Sequence, residues 1–242
     1  LKKVQKKRLK NSKVRWIKNF NNISKGPVIF FGNEFFDAIP IKQFIFKEKS
    51  LLEKCYIINS KAEFKDVYRK ANSEDSKKIK FFNTLKGLKF IEFPKIGLHE
   101  MSKIVKKIKK LSGGILLIDY GYLDNLNKST LQIVMNNKKI DIDLLFNNLG
   151  NADITSLVNF SLLKEYFLKN DLKVKRIVSQ KFFLERMGII ERARILERKM
   201  TIKQKNYMSL TLKRLLHKDL MGELFKVIFA YKSNKTDFLG FS

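Results

Sequence analysis

Two carboxylates and an amide lie together directly after an apolar run in the chain. The run covers 27–32, and the polar residues are Asn33, Glu34 and Asp37, set between aromatic residues in the segment NEFFDAIP. Acids and an amide at the carboxyl end of a buried strand can bind or orient a polar ligand. The same acids could instead favour a helix N-terminus by complementing its dipole. The spacing alone leaves both interpretations open.

Three further segments carry weaker signals. Asp119 follows a second apolar run at 115–118, and an aspartate in such a place is often a turn former. Asp153 and Thr155 lie in a turn that leads into a predicted helix, and either could be its N-cap. The aromatic residues of the segment 180–188 are typical of a helix that packs into a core.

Several familiar kinds of active site have no signature in this sequence. The single cysteine, Cys55, and the two histidines, His99 and His217, do not have the spacing of a zinc site, so we predict no bound metal. There is no G-x-S-x-G elbow, no P-loop and no G-x-G-x-x-G, although counting residues does not exclude a Ser–His–Asp triad. One cysteine excludes an internal disulfide framework and suits a reducing compartment.

The elements that must position these residues alternate between helix and strand. The runs at 27–32 and 115–118 predict two buried strands. Between them, apolar residues at three- and four-residue steps over 98–111 predict a helix closed by Gly113-Gly114. The stretch 41–58 predicts a hairpin of two strands, and 59–95 is polar and is expected to be an irregular peripheral extension.

The second half of the chain continues the same pattern. It predicts, in order, a helix at 162–168, a strand at 173–178, two helical stretches broken at Gly188, a helix begun by a Thr201–Gln204 capping box, and a final strand at 222–231. This order predicts an open α/β sheet, which binds ligands at the carboxyl ends of its strands. Asn33, Glu34, Asp37 and Asp119 should therefore lie on one edge.

Length and charge limit the function classes. A chain of 242 residues, 44% of them hydrophobic, can bury one full core, and no apolar run reaches the roughly 18 residues that span a bilayer. The formal charge is +28, with 51 Lys and Arg against 23 Asp and Glu. The excess is mostly lysine spread along the chain, and the lysines accompany Asn, Ile and Phe, which share AT-rich codons. This pattern favours a solvated basic surface over a specific nucleic-acid site.

Five segments together resemble the MidA-like family of class I methyltransferases, which use S-adenosyl-L-methionine and include the mitochondrial complex I assembly factor. The segments are NEFFDAIPIKQF, STLQIV, GNADITSLVNF, SQKFFLERMGI and MGELFKVIFA, in the order of the family. The resemblance covers roughly residues 5–231. Two departures concern the substrate side: Asn159 stands where the family usually has Asp, and Met135-Asn136 stands where an Arg and a short polar residue are common.

The resemblance implies an α/β, Rossmann-like class I methyltransferase fold whose last strand is antiparallel. In the family, a glycine-rich loop and an acidic residue after the first two strands hold the cofactor, and the opening LKKVQKKRL is similar to the helix that follows them. We therefore expect 1–242 to be one partial methyltransferase domain with the later half of the sheet. Insertions are expected at about 41–95 and, with helices, at about 180–217. The family activity should then belong to the complete chain.

The resemblance also implies roles for individual residues. The cofactor would be S-adenosyl-L-methionine, with Asn33, Phe36 and Asp119 as its contacts. Glu34 and Asp37 would be the catalytic carboxylates, orienting the N–H groups of a guanidinium acceptor. The implied substrate contacts are Tyr120, Gly121, Asp153, Thr155 and Gln180.

The function implied by the resemblance is N-methylation of an arginine in a protein substrate, a complex I type (NADH dehydrogenase) subunit, during assembly. The alternative is a catalytically inactive assembly or interaction protein, or a gene fragment without the cofactor loop. A basic nucleic-acid binder rests on charge alone, and no specific nucleic-acid partner or membrane span is expected. The expected compartment is the bacterial cytoplasm, or the mitochondrial matrix in a eukaryote. A homodimer is compatible with the sequence.

Overall fold

The computed structural model describes residues 2–9, 13–17, 19–59, 64–124, 126–136, 138–140 and 150–242. Within these residues the strands, in chain order, are β1 (Val28–Asn33), β2 (Lys42–Lys47), β3 (Ser50–Ile58), β4 (Phe64–Lys70), β5 (Phe90–Phe93), β6 (Gly113–Tyr122), β7 (Gln132–Met135), β8 (Lys138–Lys139), β9 (Asp153–Thr155), β10 (Val158–Asn159), β11 (Lys173–Val174), β12 (Val178–Ser179) and β13 (Phe225–Lys232). The helices are α1 (Lys2–Arg8), α2 (Ser73–Phe81), α3 (Lys95–Leu111), α4 (Phe160–Lys169), α5 (Gln180–Arg186), α6 (Ile189–Glu197) and α7 (Ile202–Leu216).

The largest sheet has six strands and carries the candidate residues. Its order is β1–β6–β13–β11, with β10 also pairing with β6 and β12 also pairing with β13. β1 runs parallel to β6, which sets Asn33 level with Ile118. β13 runs antiparallel to β6, which sets Lys226 level with Asp119. The predictions of an α/β sheet and of an antiparallel last strand are confirmed.

Helices and aromatic side chains cover the two faces of this sheet. On one face, Ile115 and Leu117 of β6 pack in a common core with α3 and α4. On the other face, Ile118 of β6 packs with Phe183 of α5 and with Phe241 near the C-terminus. Alternate residues of one strand thus serve two cores, as the two-residue period of a strand requires.

β1 does not show the two-sided burial that its apolar run predicted. Ile29 is 61% exposed and Phe31 is 65% exposed, whereas Phe30 between them packs against the core of α3. The reason is that β1 pairs with β6 alone among the described residues, and no described helix covers its second face. The prediction of a buried strand was correct for β6 and wrong for one face of β1.

The stretch 59–95 is regular rather than irregular, so that prediction was wrong. β4, α2 and β5 all come from it, and a four-stranded antiparallel sheet forms in the order β4–β3–β2–β5. The predicted hairpin of β2 and β3 is confirmed, with Glu48 and Lys49 in the left-handed conformation that suits its two-residue turn. β4 reads FKDVYRK, and its polar side chains hide the strand period. Residues 60–63 lie outside the described residues.

The helix before β6 ends differently from the prediction. α3 stops at Leu111, Ser112 takes a left-handed φ of 61°, and Gly113-Gly114 are the first residues of β6 rather than the helix stop. A Cβ at Gly113 would lie 1.9 Å from the carbonyl oxygen of Val28. The absence of a side chain at Gly113 therefore allows β1 and β6 to lie close together.

The remaining predicted elements are present with shifted limits. The strand predicted at 173–178 is split into β11 and β12, and the final strand begins at Phe225 rather than at Gly222. Gly188, with a φ of 78°, separates α5 from α6, and the capping box of Thr201 and Gln204 begins α7. No helix in the described part of the chain is long and apolar enough to cross a membrane. That 41–95 and 180–217 are insertions stays a prediction.

Candidate active site at the carboxyl edge of the sheet

The turn after β1 and the end of β6 meet at the carboxyl edge of the large sheet. Asn33 ends β1, and the backbone N–H of Glu34 donates to the carbonyl oxygen of Ile118 at 3.0 Å. Asp119 follows Ile118 and contacts the next residues of the turn. Asn33, Glu34, Asp37 and Asp119 therefore do lie on one edge, as the α/β pattern predicted.

Asp119 holds the turn through its backbone. Its Oδ2 accepts hydrogen bonds from the N–H groups of Phe35 at 3.2 Å, Phe36 at 2.8 Å and Asp37 at 3.2 Å. Its Oδ1 accepts the N–H of Tyr120 at 3.0 Å. Both oxygens are thus engaged by the chain, and the side chain is only 1% exposed. A cofactor contact of Asp119 stays a prediction, whereas the fixing of the turn is visible.

The environment of Asp119 disfavours its charge. Burial raises the pKa of this carboxyl to about 6, and the nearby charge of Asp37 adds to the effect. The backbone N–H groups of the turn act in the opposite direction without cancelling it. Asp119 therefore titrates near neutral pH in the folded protein, well above an exposed aspartate.

This titration predicts an unusual pH dependence of stability. The pKa is raised from 3.8 to about 6, so the contribution of Asp119 to the free energy of unfolding is full below pH 3.8 and is lost as the pH rises through 6. Since Asp119→Asn removes the titration, the stability of the wild type relative to this variant should fall by up to about 3 kcal/mol between pH 4 and pH 7. Urea unfolding of both proteins at several pH values measures this change. A difference in the free energy of unfolding that does not vary with pH would contradict the prediction.

Asp37, which is buried, and Tyr120, which is partly buried, form a hydrogen-bonded pair beside Asp119. Asp37 is 6% exposed, and its Oδ2 accepts a short hydrogen bond from the phenol O–H of Tyr120. Burial, followed by this bond to Asp37, raises the pKa of Tyr120 far above its usual range, while a hydrogen bond between Tyr120 and Thr155 acts the other way. The second carboxyl oxygen of Asp37, Oδ1, is buried and has no hydrogen-bond partner among the described residues.

The rest of the turn presents exposed groups. Glu34 is exposed and takes a left-handed φ of 46°, which costs energy for a residue with a side chain and often marks a functional position. Asn33 is also exposed, and so is the ring of Phe35, at 52%. Phe36 is buried at 5% in the core against α3, so the aromatic ring accessible at this edge is that of Phe35. A cofactor contact of Phe36 stays a prediction.

The remaining predicted substrate residues are spread around this edge. Thr155 of β9 reaches the phenol of Tyr120, and Asp153 is exposed at the far end of the same strand. Gln180 is 4% exposed and donates through Nε2 to the carbonyl of Leu215 at 3.0 Å, so its amide joins α5 to α7. The structure brings Thr155 and Tyr120 to Asp37, and it gives Gln180 a contact within the helices. Their substrate roles stay predictions.

Gly121 occupies a place with no room for a side chain. It pairs with Val158 in the parallel contact of β6 and β10, and a Cβ would lie 2.1 Å from the carbonyl oxygen of Val158 and 2.8 Å from the ring of Phe160. Gly121→Ala should therefore lower the free energy of unfolding by about 3 kcal/mol, measured by urea unfolding. Gly32→Ala is the control, because its Cβ would meet the flexible end of Leu117 at 2.9 Å. An equal loss in the free energy of unfolding for the two variants would contradict this prediction.

A second buried polar group near the edge was missed from the sequence. Glu92, Gln43 and Thr130 are 8%, 7% and 5% exposed, and both Gln43 and Thr130 donate hydrogen bonds to Glu92. Glu92 is the one acid in the apolar strand FIEF, and an acid at a buried strand position is itself a signal. Thr130 lies in the segment STLQIV, whose hydroxyl residues had no assigned role. The described residues contain no cluster of three or more His, Cys, Asp or Glu side chains that could hold a metal ion.

Several known proteins are similar to this chain in sequence or in fold. The model of the family described as "Putative S-adenosyl-L-methionine-dependent methyltransferase" matches residues 1–178. The protein arginine methyltransferase NDUFAF7 homolog, mitochondrial, of Caenorhabditis elegans is 28% identical over 189 residues, which cover 73% of this chain and 41% of the relative. The chain thus spans about two fifths of the length of that curated relative.

Two solved structures from Burkholderia thailandensis share the fold. The first, an uncharacterised protein, superposes with a TM-score of 0.78 at 20% identity, covering 96% of this chain and 62% of the other. The second belongs to the same superfamily and is bound to S-adenosyl-homocysteine. It superposes with a TM-score of 0.73 at 21% identity, covering 95% of this chain and 59% of the other. These likenesses confirm the Rossmann-like methyltransferase fold.

Proposed function

Because the chain belongs to the family of S-adenosyl-L-methionine-dependent methyltransferases, we propose that it takes part in methyl transfer to an arginine side chain of a protein. The observation that carries the choice of arginine is the buried, unpartnered Oδ1 of Asp37. The name of the Caenorhabditis elegans relative, a protein arginine methyltransferase, supports the same choice.

The chemistry of the acceptor matches the free oxygen of Asp37. A buried carboxyl oxygen without a donor is costly, and a guanidinium offers only donors, in a planar fork that suits a carboxylate. Tyr120 already occupies Oδ2, so Oδ1 is the carboxyl oxygen of Asp37 that an acceptor would have to reach. Glu34, exposed on the same turn, supplies a second carboxylate at the mouth of the site. The two acids would hold the guanidinium through separate N–H groups.

Holding the guanidinium in this way would also help the reaction. When bound, S-adenosyl-L-methionine supplies an electrophilic methyl group. The protein must present one guanidinium nitrogen in line with that group, and positioning of this kind can supply most of the rate enhancement. Asp37 and Glu34 would keep positive charge on the N–H groups they bind, leaving the third nitrogen to attack. As the new C–N bond formed, the methyl–sulfur bond of the donor would break, and the attacking nitrogen would lose one proton to water.

The edge of the sheet also offers groups that fit the cofactor. Asn33 presents an exposed amide at the end of β1, and the exposed ring of Phe35 offers an apolar face beside it. We assign the cofactor contacts at this edge to these two residues together with the predicted Phe36 and Asp119. Asp119 would act mainly through the turn that it holds, since its oxygens are already hydrogen-bonded.

The finer proposal is that the acceptor is a subunit of a complex I type respiratory enzyme. It is supported by the resemblance to the MidA-like family, which also suggests the bacterial cytoplasm or the mitochondrial matrix as the compartment. A catalytically inactive assembly protein is the competing function. Binding of the cofactor and transfer of the methyl group are therefore tested separately.

The experiment uses the complete gene product that contains this chain. Calorimetry with S-adenosyl-homocysteine measures cofactor binding. Radiolabelled S-adenosyl-L-methionine, incubated with purified complex I type subunits, measures transfer, and mass spectrometry identifies the modified residue. Cofactor binding together with methylarginine supports the proposal. Methylation of another residue type would overturn the choice of arginine, and binding without transfer would favour the inactive assembly protein.

A further inference from the structure

A buried hydrogen-bond network joins the four-stranded sheet to the segment after β6. Glu92 of β5 accepts through Oε1 from Gln43 Nε2 at 2.9 Å and from the backbone N–H of Thr130 at 3.0 Å. Its Oε2 accepts a short hydrogen bond from the hydroxyl of Thr130. Gln43 Nε2 also donates to Ser129 Oγ at 2.8 Å. Three donors thus converge on one carboxyl group at 8% exposure.

From Thr130 the network continues to the turn of the candidate site. The hydroxyl of Thr130 accepts the N–H of Leu157 at 3.0 Å. The preceding residue, Ser156, donates its own N–H to the carbonyl oxygen of Asp37 at 3.0 Å. Two adjacent backbone groups therefore connect Thr130 with Asp37. Neither bond involves a side chain that was assigned a role from the sequence.

The same segment also reaches the partner of Asp37. Thr155, one residue before Ser156, hydrogen-bonds the phenol of Tyr120 through its side chain. A shift of the segment 155–157 would therefore move a contact of Tyr120 and a contact of Asp37 together. The contacts of both Asp37 and Tyr120 depend on where this segment lies.

Core packing does not account for an acid at this position. Glu92 is 8% exposed, and its cross-strand partner on the same face is Gln43, which is 7% exposed, whereas Ile91 and Phe93 point to the opposite face of the strand. A buried carboxyl group is costly unless its oxygens are hydrogen-bonded, and an apolar residue would avoid that cost. The gain specific to the carboxyl group is that two oxygens can fix the backbone and hydroxyl of Thr130 together.

We propose that Glu92 is a positioning residue of the candidate site. It fixes Thr130, which fixes the segment 155–157, which sets the placement of Asp37 and Tyr120. The four-stranded sheet, through Glu92 of β5, is then part of the machinery of the site. That the positions of Asp37 and Tyr120 matter for catalysis rests on the proposed function. That Glu92 sets these positions does not rest on it.

The first test measures, without any substrate, how firmly the segment 155–157 is held. In Glu92→Gln an amide NH₂ group faces donors in place of one acceptor oxygen, so amide hydrogen exchange at Ser156 and Leu157 should accelerate about tenfold or more. Exchange in the β2–β3 pair should stay within about twofold. A uniform acceleration across the four-stranded sheet would show a merely structural role, and unchanged exchange at both amides would show no coupling. Either result overturns the proposal.

A swap and a control variant sharpen the test. Glu92→Gln combined with Gln43→Glu keeps one acid and one amide in contact but still leaves a single acceptor oxygen at position 92, so it should not restore slow exchange at Ser156. Asp66→Asn removes an acid of the same sheet that pairs at 2.7 Å with Lys54 at the surface, and it should leave Ser156 unchanged. Restoration of slow exchange by the swap, or an equal effect of Asp66→Asn, counts against Glu92.

The second test measures methyl transfer by the complete gene product. Glu92→Gln should lower kcat about tenfold or more, with the KM for S-adenosyl-L-methionine within about twofold, and the swap should recover little of the loss. Full activity in Glu92→Gln would overturn the positioning role. If the wild type transfers no methyl group to arginine, the proposed function fails, while the exchange experiment still decides whether Glu92 places Asp37.

Discussion

Asp37→Asn should lower methyl transfer to arginine by about 100-fold or more while leaving the affinity for S-adenosyl-homocysteine within a few-fold. The amide replaces one acceptor oxygen with a donor. If that donor takes the place of Oδ1, it opposes the N–H groups of the guanidinium, and if it takes the place of Oδ2, it opposes the phenol of Tyr120. Either arrangement removes the acceptor that the proposed mechanism requires.

Single-turnover transfer and calorimetry on the complete gene product separate these two effects. Asp124→Asn is the matched control, because Asp124 is an exposed aspartate shortly after β6 and the same change there should leave both measurements unaltered. A fully active Asp37→Asn variant would remove Asp37 from the mechanism. A variant that also loses the cofactor would instead place Asp37 in the cofactor site.

Asp75→Ala should lower the free energy of unfolding by about 3 kcal/mol, the largest effect expected from one side chain outside the candidate site. Asp75 is fully buried and pairs with Lys42 at 3.0 Å and with Lys95 at 2.6 Å. It also exchanges hydrogen bonds with Asn72, the N-cap of α2. The alanine would leave two ammonium groups without their buried partner and would loosen the contact of β2, α2 and α3.

The pH dependence of this variant gives a second readout. Burial alone would raise the pKa of Asp75, but hydrogen bonds from Lys95 and Lys42 outweigh it and hold the pKa below its usual 3.8. The stabilisation is therefore full above pH 3.8 and is lost as the pH falls through the lowered pKa. Urea unfolding of Asp75→Ala should show a deficit that shrinks in acid. Glu74→Ala, one residue earlier and exposed, should leave the unfolding midpoint nearly unchanged.

The meeting of Asp37 and Asp119 was predictable from the sequence because it needs only topology. Two apolar runs that end in polar residues, joined through a helix, predict neighbouring parallel strands, and parallel strands end at one edge. That the Asp119 oxygens accept hydrogen bonds from the backbone of the turn was not predictable. Its three bonds to the turn span 82 to 84 residues and depend on the backbone conformation of residues 35–37.

The sequence also could not separate covered from uncovered surface. Phe30 and Phe31 are the same residue type in one apolar run, yet one packs in the core and the other is exposed, because burial depends on which neighbours flank the strand. The Glu92 network was hidden for a related reason. Its partners come from β2, β5 and the segment before β7, and no local period links them.

One face of β1 is uncovered by the described residues, and this affects how copies of the chain 1–242 meet in concentrated solution. Ile29 and Phe31 present apolar surface on a strand whose outer backbone groups can pair with another strand. At low ionic strength the charge of +28 keeps molecules apart. At about 0.15 M salt the Debye length falls to about 8 Å, and this repulsion no longer reaches across the gap between two edges. Added salt should therefore drive self-association of a chain that consists of residues 1–242 alone, so that ionic strength governs the colloidal behaviour of this chain.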